Sequence, residues 1–135
     1  MPTPVNVICM KWGKLYGPEY VNFLRAGVGR HLRRPFRFVC FTDDAAGLRD
    51  DIQVLPLPEL GLPKGQGDLR WRKLAVFRRQ LHDLQGPTLF LDLDLVVVGP
   101  LDDFFDLPGR FLIIRDDDLF RAKPLRRLNP ARDRF

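Results

Sequence analysis

The chain of 135 residues is long enough for one domain with a substantial core, and 45% hydrophobic with 29% charged residues is typical of a globular protein. The formal net charge of +5 belongs to the last 17 residues, because residues 1–118 carry 16 basic and 16 acidic side chains; this argues against a nucleic-acid-binding surface on the domain. Short apolar runs, no signal-peptide pattern and only two cysteines argue against a membrane span, a disulfide scaffold and a structural zinc cage, so we expect a reduced, cytoplasmic protein.

The predicted elements alternate between strands and helices. In chain order we predict a strand at 5–10, a helix at 19–32, strands at 36–41 and 52–57, a helix at 69–84, a strand at 88–98, a short helix at 101–105 and a last strand at 110–114. The strands are nearly continuous apolar runs, as in a parallel sheet covered on both faces. We therefore expect an α/β fold with a Rossmann-like, mostly parallel sheet flanked by helices, and the chain ends early for such a fold.

The feature that points to chemistry is a pair of aspartates, Asp92 and Asp94, inside the apolar stretch LFLDLDLVVV. Strand side chains alternate, so both carboxylates would face one side and repel each other unless a cation lay between them. Carboxylate oxygens at the end of a strand suit Mg²⁺ or Mn²⁺, which also bind the phosphate oxygens of a nucleotide. Pairing with nearby arginines, or a frayed strand end, are the structural alternatives.

The stretch LFLDLDLVVVGPLDDFF resembles the metal-binding DxD segment of nucleotide-sugar-dependent glycosyltransferases of the GT-A fold, especially glycosyltransferase family 8 and its bacterial relatives. Three other blocks follow the order of that family: YGPEYV after the first strand, FVCFTDD at the end of the second, and WRKLAVF in the next helix. The resemblance covers residues 5–116. It implies a GT-A-like sheet and transfer of a sugar with retention of its anomeric configuration.

The resemblance implies that Asp92 and Asp94 bind Mn²⁺ or Mg²⁺, with Asp92 also close to the ribose or sugar of the donor. A metal there would bridge the donor diphosphate and stabilise the charge that develops as the glycosidic bond breaks. Lys73 would neutralise phosphate charge; a solvated helix face is the alternative for this lysine.

Three further residues are implied to contact the donor nucleotide. Tyr16 would stack on the base with Trp12 nearby, although Tyr16 could instead only pack against the following helix. Asp43 is a weaker candidate, because an aspartate after a strand is more often a turn former, and the same holds for Asp44.

We predict a donor-binding domain at 1–118 and a basic tail at 119–135. We expect the donor to be a nucleotide-diphosphate sugar, first of all a UDP-sugar; the acceptor and the oligomeric state stay open, as does peripheral membrane contact through the tail. After Asp118 nothing matches the family's acceptor-binding region or its additional metal ligand, so donor binding is expected more than turnover by this chain alone.

Two other functions stay open. A haloacid-dehalogenase-like phosphatase would use Asp92 as nucleophile and Asp94 as acid/base, but its motif belongs on a first strand. A non-catalytic nucleotide-sugar-binding or interaction module is the second.

We expect the cysteines, the histidines and a late acidic triplet to have no role in the site. Their expected places are core positions for Cys9 and Cys40, surface positions for His31 and His82, and a solvated loop for Asp116–Asp118.

Overall fold

The computed structural model describes residues 3–59, 61 and 69–114. The elements in chain order are β1 (Val5–Lys11), α1 (Pro18–His31), β2 (Phe36–Thr42), β3 (Gln53–Leu55), a 3₁₀ helix (Leu69–Phe77), β4 (Thr88–Phe90) and a second 3₁₀ helix (Asp102–Phe105). The predicted tail at 119–135 and the triplet Asp116–Asp118 lie outside the described residues.

The four strands form a parallel sheet in the order β3-β2-β1-β4. β1 lies in the interior of the sheet and pairs with β2 along its whole length, from Val5 opposite Phe36 to Lys11 opposite Thr42. All seven residues of β1 are buried, as expected for a parallel strand with both faces covered. The predicted α/β class with a parallel sheet is therefore confirmed.

Two apolar clusters cover the two faces of the sheet. On one face Val21, Leu24 and Val28 of α1 pack against β1 and β2. On the other face Leu81, with Val76 partly buried beside it, packs against the same two strands. Both Cys9 and Cys40 belong to the α1-side cluster as buried free thiols, which confirms their predicted core positions.

The helix α1 has the boundary residues that its sequence predicts. Pro18 stands in the first turn, where its missing N–H costs nothing, and Glu19 beside it favours the positive end of the helix dipole. Arg30 and His31 lie in the last turn, where cations are favoured. The observed helix, Pro18–His31, agrees with the prediction to within one residue at each end.

Three predicted elements are wrong in extent or kind. The helix predicted at 69–84 is a 3₁₀ helix that ends at Phe77, because cations crowd this segment and no acidic side chain stands between 69 and 82 to pair with them. The strand predicted at 88–98 ends at Phe90, since a turn follows. Residues 110–114 form no strand, and their apolar side chains are exposed.

A buried asparagine ties β4 to the start of β1. The amide nitrogen of Asn6, only 1% exposed, donates to the carbonyl of Gln85 at 2.8 Å and to the Thr88 hydroxyl at 3.2 Å. A buried amide is stable only when its polar atoms are paired, so these bonds favour one register of β4 against β1. That register in turn fixes where the chain leaves the sheet towards the two aspartates.

Candidate functional site

The strand order creates a crevice beside the carboxyl end of β1. From β1 the chain moves to β2 and β3 on one side, and then returns to place β4 on the other side of β1. In open parallel sheets, ligands bind outside the carboxyl ends of the strands where the strand order reverses in this way. The loops that follow β1 and β4 therefore border the expected ligand position.

A cleft of about 230 Å³ occupies that position. Its lining consists of Met10, Trp12, Leu15, Tyr16, Lys73, Asp92, Leu93 and Asp94. Among these are both predicted metal ligands and three of the four other predicted donor contacts. Of these predicted residues, Trp12 and Asp94 lie 82 positions apart in the chain.

The two aspartates reach the cleft because the chain turns immediately after β4. The amide of Leu91 still donates to the carbonyl of Ile8 at 2.9 Å, which extends the sheet pairing by one residue. Leu93 then turns inward and is 7% exposed, within the α1-side cluster. Leu93 is mostly buried and also lines the cleft together with Asp92 and Asp94; residues 93–94 form a turn, so the strand alternation predicted for this stretch is not observed.

Residues 91–101, between β4 and the second 3₁₀ helix, form the acidic loop. Its far end is fixed against α1. Val97 packs where α1 has a glycine, and a Cβ placed on Gly27 would lie 3.2 Å from the Cβ of Val97. Further on, the amide of Leu101 donates to the carbonyl of His31 at 2.9 Å. The loop that carries the aspartates is therefore held at both of its ends.

Asp102 completes this attachment by accepting hydrogen bonds from the backbone N–H groups of Arg33 and Arg34, each at 3.2 Å. Burial alone would raise the pKa of Asp102, but these two hydrogen bonds and the charge of Arg34 outweigh it. The pKa of this carboxyl is accordingly lower than its ordinary value. The carboxylate of Asp102 thus holds the segment after the acidic loop against the turn that follows α1.

Lys73 meets Asp92 inside the cleft. Its ammonium group donates a charge-assisted hydrogen bond to Oδ1 of Asp92, and the two side chains are 41% and 45% exposed. Two residues further on, Ala75 is fully buried, which anchors this part of the 3₁₀ helix. Lys73 therefore borders the cleft beside Asp92 while its side chain stays partly solvated.

The aromatic residues border the cleft from the loop after β1. Tyr16 packs against the α1-side cluster, and its ring meets Tyr20 edge to face, with centroids 4.9 Å apart and planes at 73°. Trp12 packs against the cluster on the opposite face of the sheet. Tyr16 therefore supports the start of α1 and also presents a surface to the cleft, so its two predicted roles do not exclude each other.

Asp43 lies outside the lining of the cleft. Its carboxylate accepts a long hydrogen bond from the amide of Gly13, at 3.5 Å, where Gly13 has a φ of +63°. Asp43 therefore ties the end of β2 to the loop that carries the aromatic residues. Next to it, Asp44 accepts from the amide of Ala46 at 2.9 Å, as the turn-forming alternative predicts.

Within 3–59, 61 and 69–114, no group of three or more histidine, cysteine or acidic side chains could hold a metal ion. Asp92 and Asp94 supply two carboxylates to the cleft. Two carboxylates fit Mg²⁺ or Mn²⁺, because such ions commonly keep several waters and take the remaining ligands from substrate phosphates. A dication at this position would accordingly depend on a phosphate-bearing ligand.

Sequence reasoning missed the apolar floor of the cleft and one buried cation. Met10, Leu15 and Leu93 line the cleft, and the signal for Met10 was its place at the carboxyl end of an apolar strand. Lys11, the last residue of β1, is 4% exposed. A lysine that ends an otherwise apolar run was the available sign of a buried charge beside the crevice.

Comparisons with models of protein families, with curated proteins and with solved structures gave no match. In the part of the chain that the structure describes, no helix is both long and apolar enough to cross a membrane.

Proposed function

We propose that this chain is the donor-binding domain of a metal-dependent glycosyltransferase with a GT-A-like fold. Its donor is a nucleotide-diphosphate sugar, a UDP-sugar before other nucleotides, and sugar transfer to an acceptor is the reaction that the domain serves. The observation that carries the proposal is the convergence of two carboxylates, one lysine and two aromatic side chains on one cleft. This cleft lies where the order of parallel strands reverses.

Each group in the cleft suits one part of such a donor. The rings of Trp12 and Tyr16 offer flat apolar surfaces for a base, and Lys73 offers a positive charge for the diphosphate. Asp92 and Asp94 would hold Mn²⁺ or Mg²⁺. When bound, that ion would neutralise the diphosphate and favour its departure from the sugar. Met10 and Leu93 add an apolar surface to the same cleft.

Calorimetric titration with UDP, with and without Mn²⁺, tests this proposal. We expect Mn²⁺ to strengthen UDP binding by the wild-type chain, and we expect Asp94→Asn to remove that gain. A loss of about tenfold or more in affinity corresponds to about 1.4 kcal/mol of lost metal interaction. Asp103→Asn is the matched control, because this exposed aspartate is outside the lining of the cleft.

Two results would contradict the proposal. UDP binding that is equal with and without Mn²⁺ would contradict the metal-binding role of the aspartates. Equal losses of UDP affinity in Asp94→Asn and Asp103→Asn would contradict the assignment of the binding site to this cleft. Release of phosphate from a generic phosphomonoester, abolished by Asp92→Asn, would favour the phosphatase function instead.

A further inference from the structure

The acidic pair of the cleft already has a cation close to it. The ammonium of Lys73 contacts Oδ1 of Asp92, and Asp94 borders the same cleft. Two carboxylates two residues apart repel each other, so a neighbouring positive charge stabilises the loop. Among the residues whose side chains the structure describes, which do not include 69–71, no cation forms an ion pair with Asp94. The ammonium group of Lys73 thus lies at Asp92, on one side of the position where a dication would bind both carboxylates.

This ion pair is suited to exchange. With side chains 41% and 45% exposed, it is of the solvated kind, which changes an equilibrium by about fivefold at most. Lysine offers a compact charge on a flexible stem and forms no rigid bidentate fork. The buried Ala75 keeps the 3₁₀ helix in place, so the side chain of Lys73 can leave Asp92 without movement of the helix.

We propose that Lys73 is the resident cation of the cleft, holding Asp92 until a dication binds and then turning to the diphosphate of the donor. This inference rests on the proposed function and concerns the regulation of the same site. Lys73 opposes binding of the metal alone, because the two cations compete for one carboxylate. It favours binding of metal and diphosphate together, because the released ammonium gains an anionic partner.

The test measures Mn²⁺ binding directly, by electron paramagnetic resonance of the free ion, with the full chain and with and without UDP. Lys73→Gln removes the charge and keeps a polar side chain of similar length. We expect this variant to bind Mn²⁺ alone about two- to fivefold more tightly than the wild type. In the presence of Mn²⁺ we expect its UDP affinity to be about tenfold lower.

Two further variants separate the local contact from general charge. Arg72→Gln removes an equal charge from the adjacent, exposed residue that does not line the cleft, and we expect it to leave Mn²⁺ binding near the wild-type value. Lys73→Arg retains the charge, and we expect it to restore weak binding of Mn²⁺ alone. Circular dichroism of each variant establishes that the fold is retained.

The outcomes distinguish this inference from the function on which it rests. Mn²⁺ affinity that is unchanged or lowered in Lys73→Gln, or raised equally in Arg72→Gln, would overturn the resident-cation role and leave the donor site in place. Failure of UDP to bind at any Mn²⁺ concentration, with the Lys73→Gln gain still present, would overturn the proposed function and the turn of Lys73 to a diphosphate, and would leave only the competition of Lys73 with Mn²⁺ for Asp92. Absence of Mn²⁺ binding in both the wild type and Lys73→Gln would overturn both.

Discussion

The acidic loop packs against α1 at Gly27, and a larger side chain at this position should displace the loop. A Cβ at this position would stand 3.2 Å from the Cβ of Val97, so Gly27→Leu forces Val97 and its loop away from the helix. Overpacking of this kind costs about 1–3 kcal/mol, against about 1 kcal/mol gained by replacing a glycine inside a helix. We therefore expect a net loss of about 0–2 kcal/mol in the free energy of unfolding.

Gly29→Leu is the control on the same helix. A Cβ at Gly29 meets the terminal Nη1 of Arg25 at 2.7 Å, which is the movable end of a flexible side chain. This variant should be stabilised by up to about 1 kcal/mol. Urea unfolding gives the stabilities, and calorimetry with Mn²⁺ and UDP gives the affinities, which should fall in Gly27→Leu alone. Equal stability and equal UDP affinity in the two variants would refute the view that Val97 packs on α1 to place the aspartates.

Two other predictions concern the attachment of the loop and the aromatic wall of the cleft. The pKa of Asp102 is lower in the folded chain than its ordinary value, so Asp102 contributes stability above the ordinary aspartate pKa of about 3.9 and loses that contribution as the pH falls through its folded value. Urea midpoints of the wild type and Asp102→Asn should therefore differ at pH 7 and converge at low pH. A difference that persists in acid would contradict this. Tyr16→Leu keeps an apolar side chain at the start of α1 but removes the ring. Because one stacked base is lost, UDP affinity should fall by about 5- to 100-fold, with little change in the urea midpoint. Unchanged UDP affinity would leave Tyr16 with its packing role only.

The bounds of an element could be predicted from the sequence where its residues share one environment, such as a strand that is covered on both faces. β1 and β2 are apolar along nearly their whole length because both faces of the sheet are covered, and their observed bounds extend the predictions by one residue each. The same holds for α1, where local boundary residues and an apolar stripe agree. For these elements, local preference and tertiary packing favour the same structure.

The elements that were mispredicted depend on contacts between distant parts of the chain. β4 ends at Phe90 although apolar residues continue, because Leu93 finds its place in the α1-side cluster and the turn that puts it there breaks the strand. Apolar content alone does not distinguish a strand from a loop that is anchored by apolar side chains. The position of Asp43, on Gly13 rather than in the cleft, likewise depends on the path of a glycine-containing loop that no spacing rule describes.

The choice of cation beside Asp92 favours a binding role for this aspartate over a structural one. Two other aspartates on the surface are held by arginine: Arg49 donates from Nε and Nη2 to the two carboxylate oxygens of Asp51, at 3.0 and 2.6 Å, and Nη2 of Arg34 contacts both oxygens of Asp106 at 2.9 Å. The planar, two-nitrogen contact of Arg49 fixes geometry more firmly than a single ammonium contact does. Asp92 instead meets a lysine through a single oxygen, in a cleft open to solvent. A carboxylate required only for the fold would be served equally well by a guanidinium, whereas one that must pass from an internal cation to an incoming dication requires a partner that can leave.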